Sequence, residues 1–248
     1  MSELTGFYAI WLREFKIFLR EKSRIVSSIV VPLLWLFIFG GGLGSKFTVQ
    51  NVNYRTFIYP GILVMTVLFS SIFYGAYVIW DKRFDFLKGV LVAPISRVTI
   101  FLGKVLGGVT DALMQAGIII LFAPAIGIPI GPNFILIFFF LFILVIGIVS
   151  IGLIFGSVVD SPEGFGMIMG FVNMPLFFLS GALYPLDQLP SWLSVVTKMN
   201  PVTYGVDAIR GLMLGISAFN LFFDFVVLLG FDLALIGIGV LAFKRMKI

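Results

Sequence analysis

ALMQAGIIILFAPAIGIPIGPNFILIFFFLFILVIGIVSIGLIFGSVV, residues 112–159, contains no charged side chain. A bilayer's hydrocarbon core is roughly 30 Å thick and takes about 20 apolar residues of helix to cross. The stretch is therefore long enough for two crossings. Pro124, Pro129, Gly131 and Pro132 divide it, since proline removes a helical hydrogen bond and glycine weakens a helix. The pattern predicts one spanning helix at about 98–123, which carries Lys104 and Asp111, and another at about 134–159.

The rest of the chain agrees. Of 248 residues, 60% are hydrophobic and 12% charged, against roughly 25% charged in a water-soluble globule. Further spans are expected at about 25–45, 57–80, 164–184 and 219–243, with DSPEG (160–164) as a tight turn. The fold class expected is an all-α polytopic membrane protein with six transmembrane helices.

Lysine and arginine set its orientation. Arg13, Lys16, Arg20, Lys22, Arg24, Lys82, Arg83, Lys88, Arg97, Lys244, Arg245 and Lys247 lie on one side, and Lys46, Arg55, Lys198 and Arg210 on the other. Basic loops stay inside, so both termini are expected in the cytoplasm and residues 185–218 outside.

Residues 1–24 are expected as a cytoplasmic interfacial helix ahead of a six-span domain, 25–248. Leu4, Phe7, Tyr8, Trp11, Phe15 and Phe18 recur at helical spacing, with Arg13, Lys16 and Arg20 opposite. Such a helix suits the membrane surface. The two halves show no evident repeat, unlike many secondary carriers.

Absent residues exclude some chemistry. No cysteine means no disulfide scaffold and no thiolate metal site. No histidine removes the commonest general base and metal ligand. No GxxxxGK[ST] phosphate loop occurs, so the chain is expected to bind no nucleotide in that manner and not to be an enzyme.

Four places carry polar groups worth following. The loop 81–97 mixes Asp81, Lys82, Arg83 and Lys88 with Phe84, Phe86 and Leu87. It reads either as a basic membrane-facing loop or as a docking element with aromatic anchors and a charged rim. Within the expected spans, Asp111, Gln115, Asn173 and Asp232 either hold helices together or line a polar path. Lys104 is expected to snorkel to the cytoplasmic face, and Asp224 to reach outer water. In the fifth span Gly166 and Gly170 form a small-xxx-small pair suited to close helix packing, and Asn173 with Pro175 is expected to break the helix.

The fourth place is 185–218. Pro190 and Ser191 open a short helix, then Asn200 caps a second one with Pro201 at its first position. Val202, Val206, Ile209 and Met213 make one stripe, and Asp207 is spaced for an ion pair with Arg210. Each helix is too short to span, so the two are expected to dip into the outer leaflet and return.

FDFLKGVLVAPISR (84–97), FLSGALYPLDQLP (178–190) and NPVTYGVDAIRG (200–211) occur in this order. Together they resemble the permease subunits of type-2 ATP-binding-cassette (ABC-2) exporters, particularly daunorubicin-resistance and nodulation-factor permeases, over essentially the whole chain. The resemblance implies a homodimer that docks two copies of a separate ABC ATPase, with ATP and Mg bound on that partner and no cofactor on this chain. It implies a coupling helix within 81–97, a re-entrant outer pair that includes Asn200, Pro201, Tyr204, Asp207 and Arg210, and export of an amphipathic, lipid, lipid-linked glycan or drug substrate. The competing expectation from the residues is an ATP-independent carrier or channel that uses Asp111 and Asp232.

Overall fold

The computed structural model describes residues 2–42, 48–84, 86–128 and 133–246. It is mostly helical. Helix α1, Glu3–Arg20, is followed by α2, Lys22–Trp35, which continues as a π-helical stretch, Leu36–Gly41. A two-stranded hairpin comes next, β1 (Thr48–Val49) and β2 (Val52–Asn53). Its turn residues Gln50 and Asn51 both have positive φ, the geometry that matches the twist of paired strands. Then come α3 (Tyr54–Phe73), α4 (Ala76–Arg83), α5 (Phe86–Val92) and α6 (Arg97–Phe122). The chain closes with α7 (Phe134–Val158), α8 (Pro162–Phe178), α9 (Ser191–Met199), α10 (Pro201–Leu214) and α11 (Leu221–Arg245).

Four helical segments are long and apolar enough to cross a membrane: Tyr54–Arg83, Arg97–Phe122, Phe134–Val158 and Leu221–Arg245. A fifth is available if the pair Glu3–Arg20 and Ile25–Gly41, bent by 73°, is one span. Six were expected. The shortfall lies in α8, whose 17 residues rise only about 26 Å. Asn173 and Pro175 do not break α8. The helix continues through both and ends at Phe178, three residues past the proline, whose missing N–H leaves the Phe171 carbonyl without its usual helical donor. The expected break at 129–132 and the end of the first span, 43–45, lie outside the described residues.

Helix α7 is apolar on every face and sits at the centre, with α3, α6, α10 and α11 around it. Its approach to the α3–α4 junction depends on missing side chains. A Cβ on Gly75 would lie 1.9 Å from the Gly152 carbonyl oxygen, and one on Gly152 would lie 2.4 Å from that of Ile72. Small residues let backbones touch where no hydrophobic force drives helices together. Gly166 and Gly170 play no such part: a Cβ at either meets nothing within 4 Å. The face of α8 that carries them is open, with Met167 and Phe171 exposed beside them.

Candidate functional site

Two polar regions stand at opposite ends of the bundle. The first joins α1, α4 and α6. Helix α1 runs beside the first half of α6 and buries Gly6, Ile10, Glu14 and Phe18. These residues recur every fourth position, so they share one face. Leu4 and Tyr8 of the aromatic stripe point away from the bundle. Gly107 of α6 makes room for this approach, since a Cβ there would lie 2.7 Å from that of Glu14.

At this seam four charges meet. The Lys104 ammonium donates to Glu14 Oε1 at 2.8 Å and to Asp81 Oδ2 at 2.5 Å. Arg13 donates to Glu14 Oε1 at 2.8 Å and to Asp81 Oδ1 at 2.5 Å. The Arg13 guanidinium also lies over the Phe86 ring, 3.6 Å from its centroid. Two positive and two negative groups make the cluster neutral. The side chains of Lys104 and Glu14 are 1% exposed, whereas Arg13 is 29% exposed and meets solvent.

Lys104 therefore does not snorkel. Its carboxylate partners come to it, because α1 and α4 flank α6 there. Glu14, absent from the sequence-derived candidates, is the residue that completes the cluster. The signal that could have found it was its place in the four-residue repeat with Gly6, Ile10 and Phe18.

The loop candidates divide by exposure. Asp81 is buried in the cluster, and Leu87 is 1% exposed, so neither presents itself to a partner. Lys82 donates to the Ser157 carbonyl at 2.6 Å and lies 3.6 Å from Asp160, tying α4 to the end of α7. Phe86 is half-buried beneath Arg13. Phe84 is 75% exposed and stacks on Trp80, and Arg83 is exposed beside the same ring. Asp85 and the Lys88 side chain lie outside the described residues.

Of the expected intramembrane set, Asp111 and Gln115 come together, the Gln115 amide donating to Asp111 Oδ1. Gln115 also lines a cleft of about 220 Å³ between α2, α3 and α6, whose walls are Val31, Pro32, Met65, Phe69 and Phe73 with Thr66. Asn173 is buried on α8, and neither side-chain atom has a hydrogen-bond partner among the described residues. Asp232 is buried on α11 against Gly147 of α7.

The second polar region is α10. Asn200 caps it as expected: Oδ1 accepts from the Val202 amide at 3.0 Å, while Nδ2 donates to the Leu176 carbonyl at 2.8 Å. Pro201 takes the first helical position, and the Tyr204 hydroxyl donates to the Lys198 carbonyl. The two-faced helix that the apolar stripe suggested is not found. Thr203, Asp207 and Arg210 are buried along with Val202, Val206 and Ile209, because α3, α7 and α11 enclose α10.

Nor do Asp207 and Arg210 join each other. Asp207 accepts from the Ala218 and Phe219 amides at 2.8 and 2.9 Å. Arg210 donates to the Gly181 and Ala182 carbonyls at 2.8 and 3.2 Å and lies 4.2 Å from the Phe57 ring centroid. Burial lowers the Arg210 pKa to about 10, with the Asp207 charge opposing, so it remains a cation at neutral pH. Burial likewise raises the Asp207 pKa against the pull of its two amides and Arg210. Asp224 is not exposed at the outer surface. It is fully buried in the first turn of α11.

The family model described as ABC-2 type transporter matches residues 5–214. The chain is 34% identical to the transport permease ycf38 of Cyanophora paradoxa, over 98% of this chain and 91% of the relative. It is 27% identical to the inner membrane transport permease YadH of Escherichia coli strain K12, over 91% of this chain and 90% of that one. Nodulation protein J of Rhizobium meliloti is 26% identical over 84% of this chain and 80% of its own length.

Proposed function

The chain belongs to the ABC-2 type transporter family, and from that premise we propose that it is the permease half of an ATP-driven exporter. ATP is bound with Mg and hydrolysed on a separate ABC ATPase subunit, not on this chain. The observation that carries the reading is the four-charge seam. It joins α1, α4 and α6 into one unit beside the exposed Phe84 and Arg83.

A push on the loop is delivered to that unit, because buried ion pairs do not slide past one another without exposing a charge. ATP-driven closure of the partner then biases the permease between two arrangements, each with different access. Within this reading α2 with its π-helical end, and α8, supply the spans beyond the four long segments. Both termini are cytoplasmic by the distribution of basic residues. Residues 1–24 form the interfacial element, 81–97 the coupling element and 185–218 the re-entrant outer element of one transmembrane domain. A second copy covers the open face of α8 at Gly166 and Gly170.

The substrate class proposed is amphipathic: a lipid, a lipid-linked glycan or an apolar drug. The cleft at Gln115 supports it, with a mostly apolar wall and a few neutral polar groups. The test is copurification and transport. A tagged chain taken from its own membranes in mild detergent should bring with it an ATPase that has a phosphate loop. Phe84→Glu should lose that partner while the permease inserts normally. Transport by vesicles that requires a proton gradient and no ATPase would overturn the reading in favour of a carrier.

A further inference from the structure

At the end of the bundle away from the four-charge seam, a cavity of about 180 Å³ lies between α10 and α11. Asp224 forms part of its wall. The residue is fully buried, and neither carboxylate oxygen has a hydrogen-bond partner among the described residues.

Apart from the Ser217 hydroxyl, which lines the same cavity, several donors nearby are committed elsewhere. At the start of α11 the Phe222 amide goes to Asn220 Oδ1, and the Phe223 and Asp224 amides go to the Asn220 carbonyl. The Tyr204 hydroxyl donates to Lys198, and Arg210 faces Gly181, Ala182 and Phe57. The Ala218 and Phe219 amides serve Asp207.

The opposite wall is also negative. It is the C-terminal turn of α10, from Gly211 to the left-handed Gly215. The last carbonyls of a helix lack intrahelical partners and carry about half a negative charge. The cavity thus sets Asp224 against the negative end of the α10 dipole, where the Gly211 carbonyl accepts from the Gly215 amide. Gly215 and Ser217, both exposed, give access from solvent.

An isolated carboxylate in such a wall is costly unless it takes up a proton or a cation or donor meets it. The described residues hold no group of three acidic side chains that could take a metal ion. We propose that this cavity binds a primary ammonium group, carried by a small free amine or by an ethanolamine headgroup. Its volume is that of about six waters at roughly 30 Å³ each, enough for ethanolammonium. A primary ammonium can donate to Asp224 and to the helix carbonyls together, whereas a quaternary one has no N–H to give. The assignment goes beyond the exporter reading and does not depend on it.

The full chain in phosphatidylcholine nanodiscs supplies the test, with ethanolamine as probe and choline as control. Saturation-transfer NMR should show ethanolamine binding and no choline binding. Asp224→Asn should weaken the former about tenfold, as expected for one charge-assisted hydrogen bond.

A second measurement uses wild-type protein alone, in case that variant does not fold. Modification of Asp224 by dicyclohexylcarbodiimide, read by peptide mass spectrometry, should slow about fivefold when ethanolamine occupies the site. Slowing in phosphatidylethanolamine nanodiscs without added amine identifies a lipid headgroup as the source. Slowing only with soluble ethanolamine identifies a free amine. Equal binding of ethanolamine and choline overturns the proposal. So does an Asp224 that is not modified, or is modified at one rate under all conditions.

Discussion

Replacing Lys104 by methionine keeps the length of the side chain and removes its charge, which isolates the electrostatics of the seam. The intact ammonium lies 2.8 Å from Glu14 and 2.5 Å from Asp81, and all three side chains are at most 6% exposed. A pair of unit charges at 4 Å attracts by about 4 kcal/mol at an effective dielectric of 20. Bringing each ion out of water costs several kcal/mol, so the assembled cluster contributes little net stability. Removing one member is different, because a buried charge is then uncompensated at about 3–5 kcal/mol.

Arg13 remains against both carboxylates, but it is one charge facing two. Lys104→Met is therefore expected to cost about 3–5 kcal/mol in unfolding from mixed micelles. Adding Glu14→Gln removes the surplus negative charge and should restore about 1–3 kcal/mol through coupling. The chain has no cysteine, so Ile10→Cys gives a clean reporter on the buried face of α1. Its maleimide labelling should quicken in Lys104→Met and slow again in the double variant. A double variant whose cost is the sum of the two single costs, within about 0.5 kcal/mol, would refute the claim that these residues act as one unit.

Other substitutions separate packing from function. Gly75→Leu should leave no folded protein in membranes, since even its Cβ would collide with the Gly152 carbonyl; Gly166→Leu and Gly170→Leu should keep the wild-type thermal midpoint, since a Cβ at either meets nothing within 4 Å, and elute from size exclusion as a monomer. Arg210→Lys keeps the charge but not the planar donor that meets two carbonyls and the Phe57 ring. It should cost about 2–3 kcal/mol, read as a lowered unfolding midpoint. Asn200→Ala should cost about 1 kcal/mol for the lost cap, and should reduce transport while the ATPase still copurifies.

The long helices were legible because each is decided by its own stretch of chain. The described ends of α6 and α7 fall at Arg97–Phe122 and Phe134–Val158, within about a residue of the ends expected from charge and proline alone. The N-cap of α10 was legible for the same reason, since Asn200 and Pro201 act on the adjoining amides. Helix α8 was not. Its expected length counted every apolar residue to Tyr184, although backbone turns at Leu179–Gly181 end it first. Apolar composition says that a residue avoids water, and it says nothing about whether the residue is helical.

Asp111 and Gln115 pair as their spacing allows, but the readings of Lys104, Asp207 and Arg210 failed for a common reason. Asp207 and Arg210 have correct i,i+3 spacing, yet each meets backbone groups about 10–30 positions away, at 218–219 and 181–182. Lys104 has a stem long enough to snorkel, but Glu14 lies 90 positions earlier in the chain. In an apolar interior, a charge takes whichever complementary group the packing brings closest, because the alternative is an unpaired charge. Spacing along a helix ranks only the partners on that helix. Once α3, α7 and α11 close around α10, and α1 and α4 around α6, the partners on other elements outnumber and outcompete them. The four-residue repeat of Gly6, Ile10, Glu14 and Phe18 is the exception that points the way. A carboxylate inside an otherwise apolar helix face implies a cation on the facing helix, and Lys104, inside a predicted span, was the matching candidate.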